Sequence, residues 1–116
     1  QLLLKDVRTN EYKAVVFVGG LGMNKLFDDK QAHRVAKEAV DLQCVLGAIC
    51  IAPVILVRAG LVKGKAISVH ESMADVCKNK GAIVMSAAVT VTDLIVTGNG
   101  PEASDRFAEE LLYLLE

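Results

Sequence analysis

The sequence predicts an α/β protein, a three-layer α/β/α arrangement around a mostly parallel sheet, and three observations carry that prediction. Short runs of β-branched and aromatic residues, apolar enough for burial on both faces, alternate with segments whose apolar positions recur at helical spacing. Glycines punctuate the boundaries between the two kinds of segment. The chain has 116 residues, 53% of them hydrophobic, which suffices for one domain with a core and is too little for two.

The first confident strand is Ala14-Val15-Val16-Phe17-Val18, ending in Gly19-Gly20. A helix over 28–40 follows, with positions 32, 35, 36, 39 and 40 on its apolar face and Asp28 and Gln31 spaced as a capping box. Val45 to Ile49 reads as a buried strand. After a turn at Cys50, a helix runs to about Ala59, with Pro53 tolerated in its first turn and Gly60 as a left-handed cap. Lys65 to His70 is the next strand. Glu71 to Lys80 is then a helix with Met73, Val76 and Cys77 inward and Gly81 as its cap. The apolar runs 83–85, 87–91 and 94–97 read as a strand and a hairpin near the sheet edge. Asn99-Gly100-Pro101 opens a last helix with Ala103, Phe107, Leu111, Leu114 and Leu115 on one face, as core or interface. Residues 1–12 offer only Leu2-Leu3-Leu4 as an apolar run, so the chain reads as starting inside a fold. No repeat or low-complexity segment is visible.

Thirteen Lys and Arg against fourteen Asp and Glu give a net charge of −1, with no basic stripe for nucleic acid or an anionic membrane. Three cysteines without a Cys-x-x-Cys spacing suggest neither a disulfide framework nor a zinc site. No apolar stretch is long enough to span a membrane, and no signal peptide is apparent. The expectation is a soluble cytoplasmic protein with no metal and no cofactor. Gly19-Gly20-Leu21-Gly22 lacks a third glycine at the required spacing and the acidic residue about twenty positions on that a dinucleotide fingerprint needs, so it reads as a turn.

Cys50 is the residue that calls for explanation. It stands between a strand and a helix, where free N–H groups and the helix dipole can stabilise a thiolate or an oxyanion. Ala48 and Ala52 flank it two positions away on either side, supplying the small residues a nucleophile elbow needs. Gly19-Gly20, Cys50 and His70 all fall at carboxyl ends of strands, where α/β sheets bind ligands. His70 is a candidate proton shuttle or substrate contact. Glu71 is a weaker candidate base, already explained as a helix-start carboxylate, while His33 reads as surface and Cys44 and Cys77 as structural.

Four motifs in order, Val18-Gly19-Gly20, Gly47-Ala48-Ile49-Cys50-Ile51-Ala52-Pro53, Gly60-Leu61-Val62-Lys63-Gly64-Lys65 and Thr97-Gly98-Asn99-Gly100-Pro101, resemble the ThiJ/PfpI superfamily. This family includes the Parkinson-disease-associated deglycase, glyoxalases and intracellular cysteine peptidases. The resemblance implies a flavodoxin-like, class I glutamine amidotransferase-like fold, a single domain over residues 1–116 and a homodimer or higher homo-oligomer. It implies Cys50 as the elbow cysteine, the backbone N–H groups of Gly20 and Ile51 as oxyanion donors, and His70 as the histidine near the cysteine. Cys-Ile-Ala-Pro resembles the elbow of archaeal-type members and of the branch linked with lycopene biosynthesis. The peptidase branch carries histidine directly after the cysteine; Ile51 stands there and can move no proton. The family also places a glutamate on its first strand, before Gln1 here. These residues would then form about the last two thirds of a member, with an N-terminal segment of the same protein completing the sheet. The expected function is a cysteine-dependent enzyme acting on small reactive carbonyls, of glyoxalase or deglycase type. The alternatives are a redox-responsive stress protein with an oxidisable Cys50 and, more weakly, an intracellular cysteine peptidase.

Overall fold

The structure, a computed structural model, describes residues 13–19 and 23–116. A four-stranded sheet is ordered β1-β2-β6-β5, with β1 at Ala14–Val18, β2 at Val45–Ile49, β5 at Val89–Thr92 and β6 at Ile95–Gly98. β1, β2 and β6 run parallel, and β5 returns antiparallel to β6. β2 is buried at all five positions, as a strand covered on both faces must be.

Alternation along β2 divides the core in two. Leu46 and Ala48 face α1 (Lys30–Asp41) and α2 (Pro53–Arg58), where Ala32, Val35, Ala36, Val54, Ile55 and Leu56 pack. Ile49 faces the other side with Val96, Ala103 and Phe107, beneath α4 (Ser104–Leu115). Helix α4 lies so close to the sheet that a Cβ on Gly47 would come 2.9 Å from the Phe107 ring. The predicted three layers and mostly parallel sheet are therefore present.

Local chemistry moved several boundaries. The cap of α1 is Asp29, whose Oδ1 accepts from Gln31 N at 2.8 Å and Ala32 N at 2.9 Å, a full N-cap. Asp28, expected to cap, instead faces Arg58 at 3.2 Å. Val40 and Leu115, expected on buried faces, are exposed. His33 is half-buried, and its Nε2 donates to the Phe27 carbonyl at 2.6 Å, so it holds the approach to the helix. Gly60 and Gly81 have positive φ, as their cap positions require.

The strand expected over 65–70 is only Ala66–Ile67, β3, and it pairs with β4 (Ile83–Val84) in a separate two-stranded parallel sheet. Hydroxyls explain why it stops. Ser68 N donates to Thr97 Oγ1 at 2.8 Å, where a ladder would offer a backbone carbonyl. Ser68 Oγ donates to Ala87 O and lies 2.7 Å from Thr90 Oγ1, while Thr92 Oγ1 donates to Ala66 O at 2.7 Å. Side chains thus latch the small sheet to the large one. The helix expected over 71–80 divides into a 3-10 turn at Glu71–Met73 and α3 at Ala74–Asn79. The predicted hairpin is present, with β5 at the sheet edge and β6 inside it.

Candidate active site

Cys50 follows β2 at the carboxyl end of the sheet, where the chain turns sharply into α2. Its φ is +67°, a left-handed conformation that costs a non-glycine residue on the order of 1 kcal/mol and persists only where the surroundings enforce it. Two hydrogen bonds enforce it here. Cys50 N donates to Gly98 O at 3.0 Å, and His70 N donates to Cys50 O at 2.8 Å. The peptide groups flanking the thiol are therefore tied to β6 and to the end of the β3 segment. Ala48 and Ala52 beside the turn are fully buried, which the predicted small flanks allow.

Gly19 adjoins the elbow from β1. A Cβ there would lie 2.9 Å from Cys50 Cβ and 2.9 Å from Ile51 N, closer than such atoms approach. Gly19 therefore keeps the Ile51 amide open, and that N–H donates no hydrogen bond among the described residues. Ile51 remains available as an oxyanion donor. Gly20, the other expected donor, lies outside the described residues.

The thiolate expectation is corrected. Burial, and then the Glu102 carboxylate, push the Cys50 thiol above its ordinary value. The reason lies in the helix start: Pro53 opens α2 and has no N–H, and the Ala52 N–H is taken by Ile49 O at 3.2 Å. Among the described residues Ile51 is the N–H left to face an anion, and a six-residue helix has a small dipole.

His70 caps the 3-10 turn. Its Nδ1 accepts from Ser72 N at 3.2 Å and lies 2.8 Å from Ser72 Oγ. A backbone N–H donating to Nδ1 fixes the neutral ring proton on Nε2. Among the described residues His70 makes no side-chain hydrogen bond to Cys50, so it is positioned as a donor more than as a base. His70 borders a cleft of about 550 Å³. Its walls are the segments after β3 (Val69 to Glu71), after β4 (Val84 to Ser86) and after β6 (Asn99 to Glu102). Cys50 stands at its side, joined through His70 N and Gly98 O.

Cys44 and Cys77 are buried, as expected of structural thiols. No cluster of metal ligands occurs among the described residues, and no helix there is long and apolar enough to cross a membrane. Sequence reading missed Glu102. Its signal was position: a carboxylate two residues after Gly100, in the connection leaving β6, must stand at the same end of the sheet as Cys50.

Comparison with known proteins agrees with this geometry. The chain is 33% identical over 114 residues to an uncharacterized protein of Methanocaldococcus jannaschii, covering 96% of this chain and 56% of that protein. It is 27% identical over 113 residues to the glutathione-independent glyoxalase DJR-1.2 of Caenorhabditis elegans, covering 97% and 60%. It therefore spans about three fifths of the length of these curated relatives. The crystal structure of a ThiJ/PfpI domain protein from Brachyspira murdochii superposes with a TM-score of 0.95 at 33% identity, covering 99% of this chain and 66% of that one. The model of the DJ-1/PfpI family matches residues 1–114, and the chain belongs to that family.

Proposed function

We propose that the protein is a cysteine-dependent enzyme acting on small reactive carbonyl compounds, of glyoxalase type, with Cys50 as nucleophile. The observation that carries this reading is the elbow: a cysteine held at positive φ beside an open cleft, with the Ile51 N–H unengaged. A relative that shares 27% identity is named as a glutathione-independent glyoxalase, which supports the same chemistry.

The reaction balances without an external oxidant. Cys50 sulfur bonds to the aldehyde carbon of a 2-oxoaldehyde, the thiol proton passes to a base, and the oxygen becomes a hemithioacetal hydroxyl. The Ile51 N–H, with Gly20 N–H as the expected second donor, holds that oxygen while it is negative. Removing the C1 proton gives an enediol, and protonation at C2 gives a 2-hydroxyacyl thioester. Water then releases the hydroxy acid and restores the thiol. His70 Nε2–H supplies a proton to the substrate oxygen or to C2, and a carboxylate on the family's first strand serves as the C1 base.

The redox-responsive alternative is less well supported by these surroundings. A sulfinate at Cys50 is an anion, and the Glu102 carboxylate that opposes the thiolate opposes it too. Peptidase chemistry lacks its base, since Ile51 follows the cysteine. The test is lactate formation from methylglyoxal by the protein and by Cys50→Ala. Lactate that disappears with the variant is the expected result; absence of lactate from the folded native protein would overturn the reading.

A further inference from the structure

We propose that the cleft beside Cys50 selects its electrophile by charge, with Glu102 and Glu71 admitting neutral and cationic compounds and turning away those that carry a carboxylate. The inference deepens the carbonyl reading and rests on it for the identity of the substrates. These would be uncharged or amine-bearing 2-oxoaldehydes, and not oxoacids.

The cleft's composition is the first argument. Both of its formally charged lining side chains among the described residues are carboxylates, one leaving β3 at Glu71 and one leaving β6 at Glu102. Among the described residues no Lys or Arg lines it. Arg58 of α2 and Lys65 before β3 are paired elsewhere, with Asp28 at 3.2 Å and Asp93 at 2.8 Å. The remaining lining mixes donors, Ser86, Asn99 and the His70 ring, with short apolar groups such as Val84 and Pro101. This surface suits a small polar carbonyl with a short alkyl tail. A carboxylate entering it meets two like charges and, among the described lining residues, no counter-ion.

The second argument is where Glu102 stands relative to the nucleophile. The connection that carries it leaves β6 directly after Gly98, whose carbonyl accepts from Cys50 N. Glu102 turns back on this connection, so that its Oε2 lies 3.5 Å from the position a Cβ on Gly100 would occupy. Its charge also acts to raise the Cys50 thiol, and an approaching anion would be felt in the same way. Glu71 and Glu102 are both exposed, so salt screens their fields and the selection is strongest at low ionic strength.

Alkylation of Cys50 measures this selection without requiring turnover. Rates with iodoacetamide, which is neutral, and iodoacetate, which is anionic, are followed by intact mass on the protein, with 2-mercaptoethanol as reference thiol. Both reagents need the same thiolate, so their ratio cancels any change in the thiol's acidity. Cys44 and Cys77 are buried, and Cys50→Ala reports their background. The amide-to-acetate ratio is expected to exceed that of 2-mercaptoethanol by about five-fold or more at low salt and to shrink as salt rises. Glu102→Gln should cut the excess by about three-fold, while Glu102→Asp keeps most of it. A protein ratio equal to that of 2-mercaptoethanol, or an excess untouched by Glu102→Gln, would overturn the proposal. Methylglyoxal turnover on the same samples separates the two ideas. Turnover without charge preference removes the selection alone, and charge preference without turnover removes the carbonyl reading alone.

Discussion

Cys50 and Cys77 are both thiols pushed above their ordinary acidity range, yet the structure treats them oppositely. Cys77 sits in α3 with 0% exposure; burial lifts it to about 11, and the Arg58 charge only partly offsets that. Cys50 is half-buried at a strained turn, tied on both sides by its peptide groups, with a cleft alongside and a carboxylate as its electrostatic neighbour. The direction of the shift therefore does not distinguish them. Presentation does: the elbow places one sulfur where an electrophile can reach it, and the helix face places the other among Val62, Ile67 and their neighbours.

The largest expected effect breaks the comparison outright. Cys50→Ala should lower methylglyoxal turnover by about 100-fold or more, whereas Cys77→Ala should leave it within about two-fold while costing on the order of 1 kcal/mol of stability. Steady-state kinetics and denaturant unfolding of the two variants check this directly.

Gly19→Ala tests whether presentation depends on the backbone behind the elbow. The added methyl would meet Cys50 Cβ and Ile51 N at 2.9 Å, so the fold should lose about 1–3 kcal/mol and turnover should fall with it. Unchanged unfolding midpoints would show that the elbow has more room than described.

Alkaline unfolding sharpens the contrast in acidity. The Cys77 thiol has a folded value of about 11, raised above its unfolded value of 9.0. Its contribution is thus fully present below pH 9 and is lost as pH rises toward 11. The loss should be on the order of 2 kcal/mol. Cys77→Ala should flatten that slope in urea titrations across this range, and Cys50→Ala should flatten it less.

The latch between the two sheets should matter less, because it is one hydrogen bond among several. Thr97→Val leaves the buried Ser68 N–H without its acceptor, a cost of about 1–2 kcal/mol, and Thr97→Ser should recover most of it. Smallest of all, Glu102→Gln should move the pH profile of Cys50 alkylation toward lower pH, since the carboxylate raises the thiol's acidity range. A profile that stays in place would remove Glu102 from the electrostatics of the site.

Much of this was legible in residue order. β1 and β2 have the bounds their apolar runs predicted; β2 is buried at every position, as expected, whereas Val16 and Val18 of β1 are exposed among the described residues. Cys50 was found by the turn it occupies. The β3 region was harder: Ser68 and the threonines 90, 92 and 97 replace backbone pairing with hydroxyl contacts between residues 19 to 29 positions apart, and no local pattern encodes such contacts. The thiolate expectation failed for a similar reason. A helix after the cysteine was visible in sequence, but the Ala52 N–H being spent on Ile49 O, and Glu102 arriving from β6, are tertiary facts. The cap moved by one position, from the expected Asp28 to Asp29, since either aspartate can accept from the first helical N–H groups and Asp28 pairs with Arg58 instead.

The central claim is that Cys50 sulfur bonds a substrate carbonyl carbon. Its most direct test is a single turnover with excess protein and methylglyoxal labelled with carbon-13 at the aldehyde carbon, followed by NMR. The account predicts a transient hemithioacetal carbon that gives way to the carboxylate carbon of lactate, with both absent in Cys50→Ala. A labelled carbon that stays as the aldehyde hydrate, in folded protein whose Cys50 still alkylates with iodoacetamide, would contradict it.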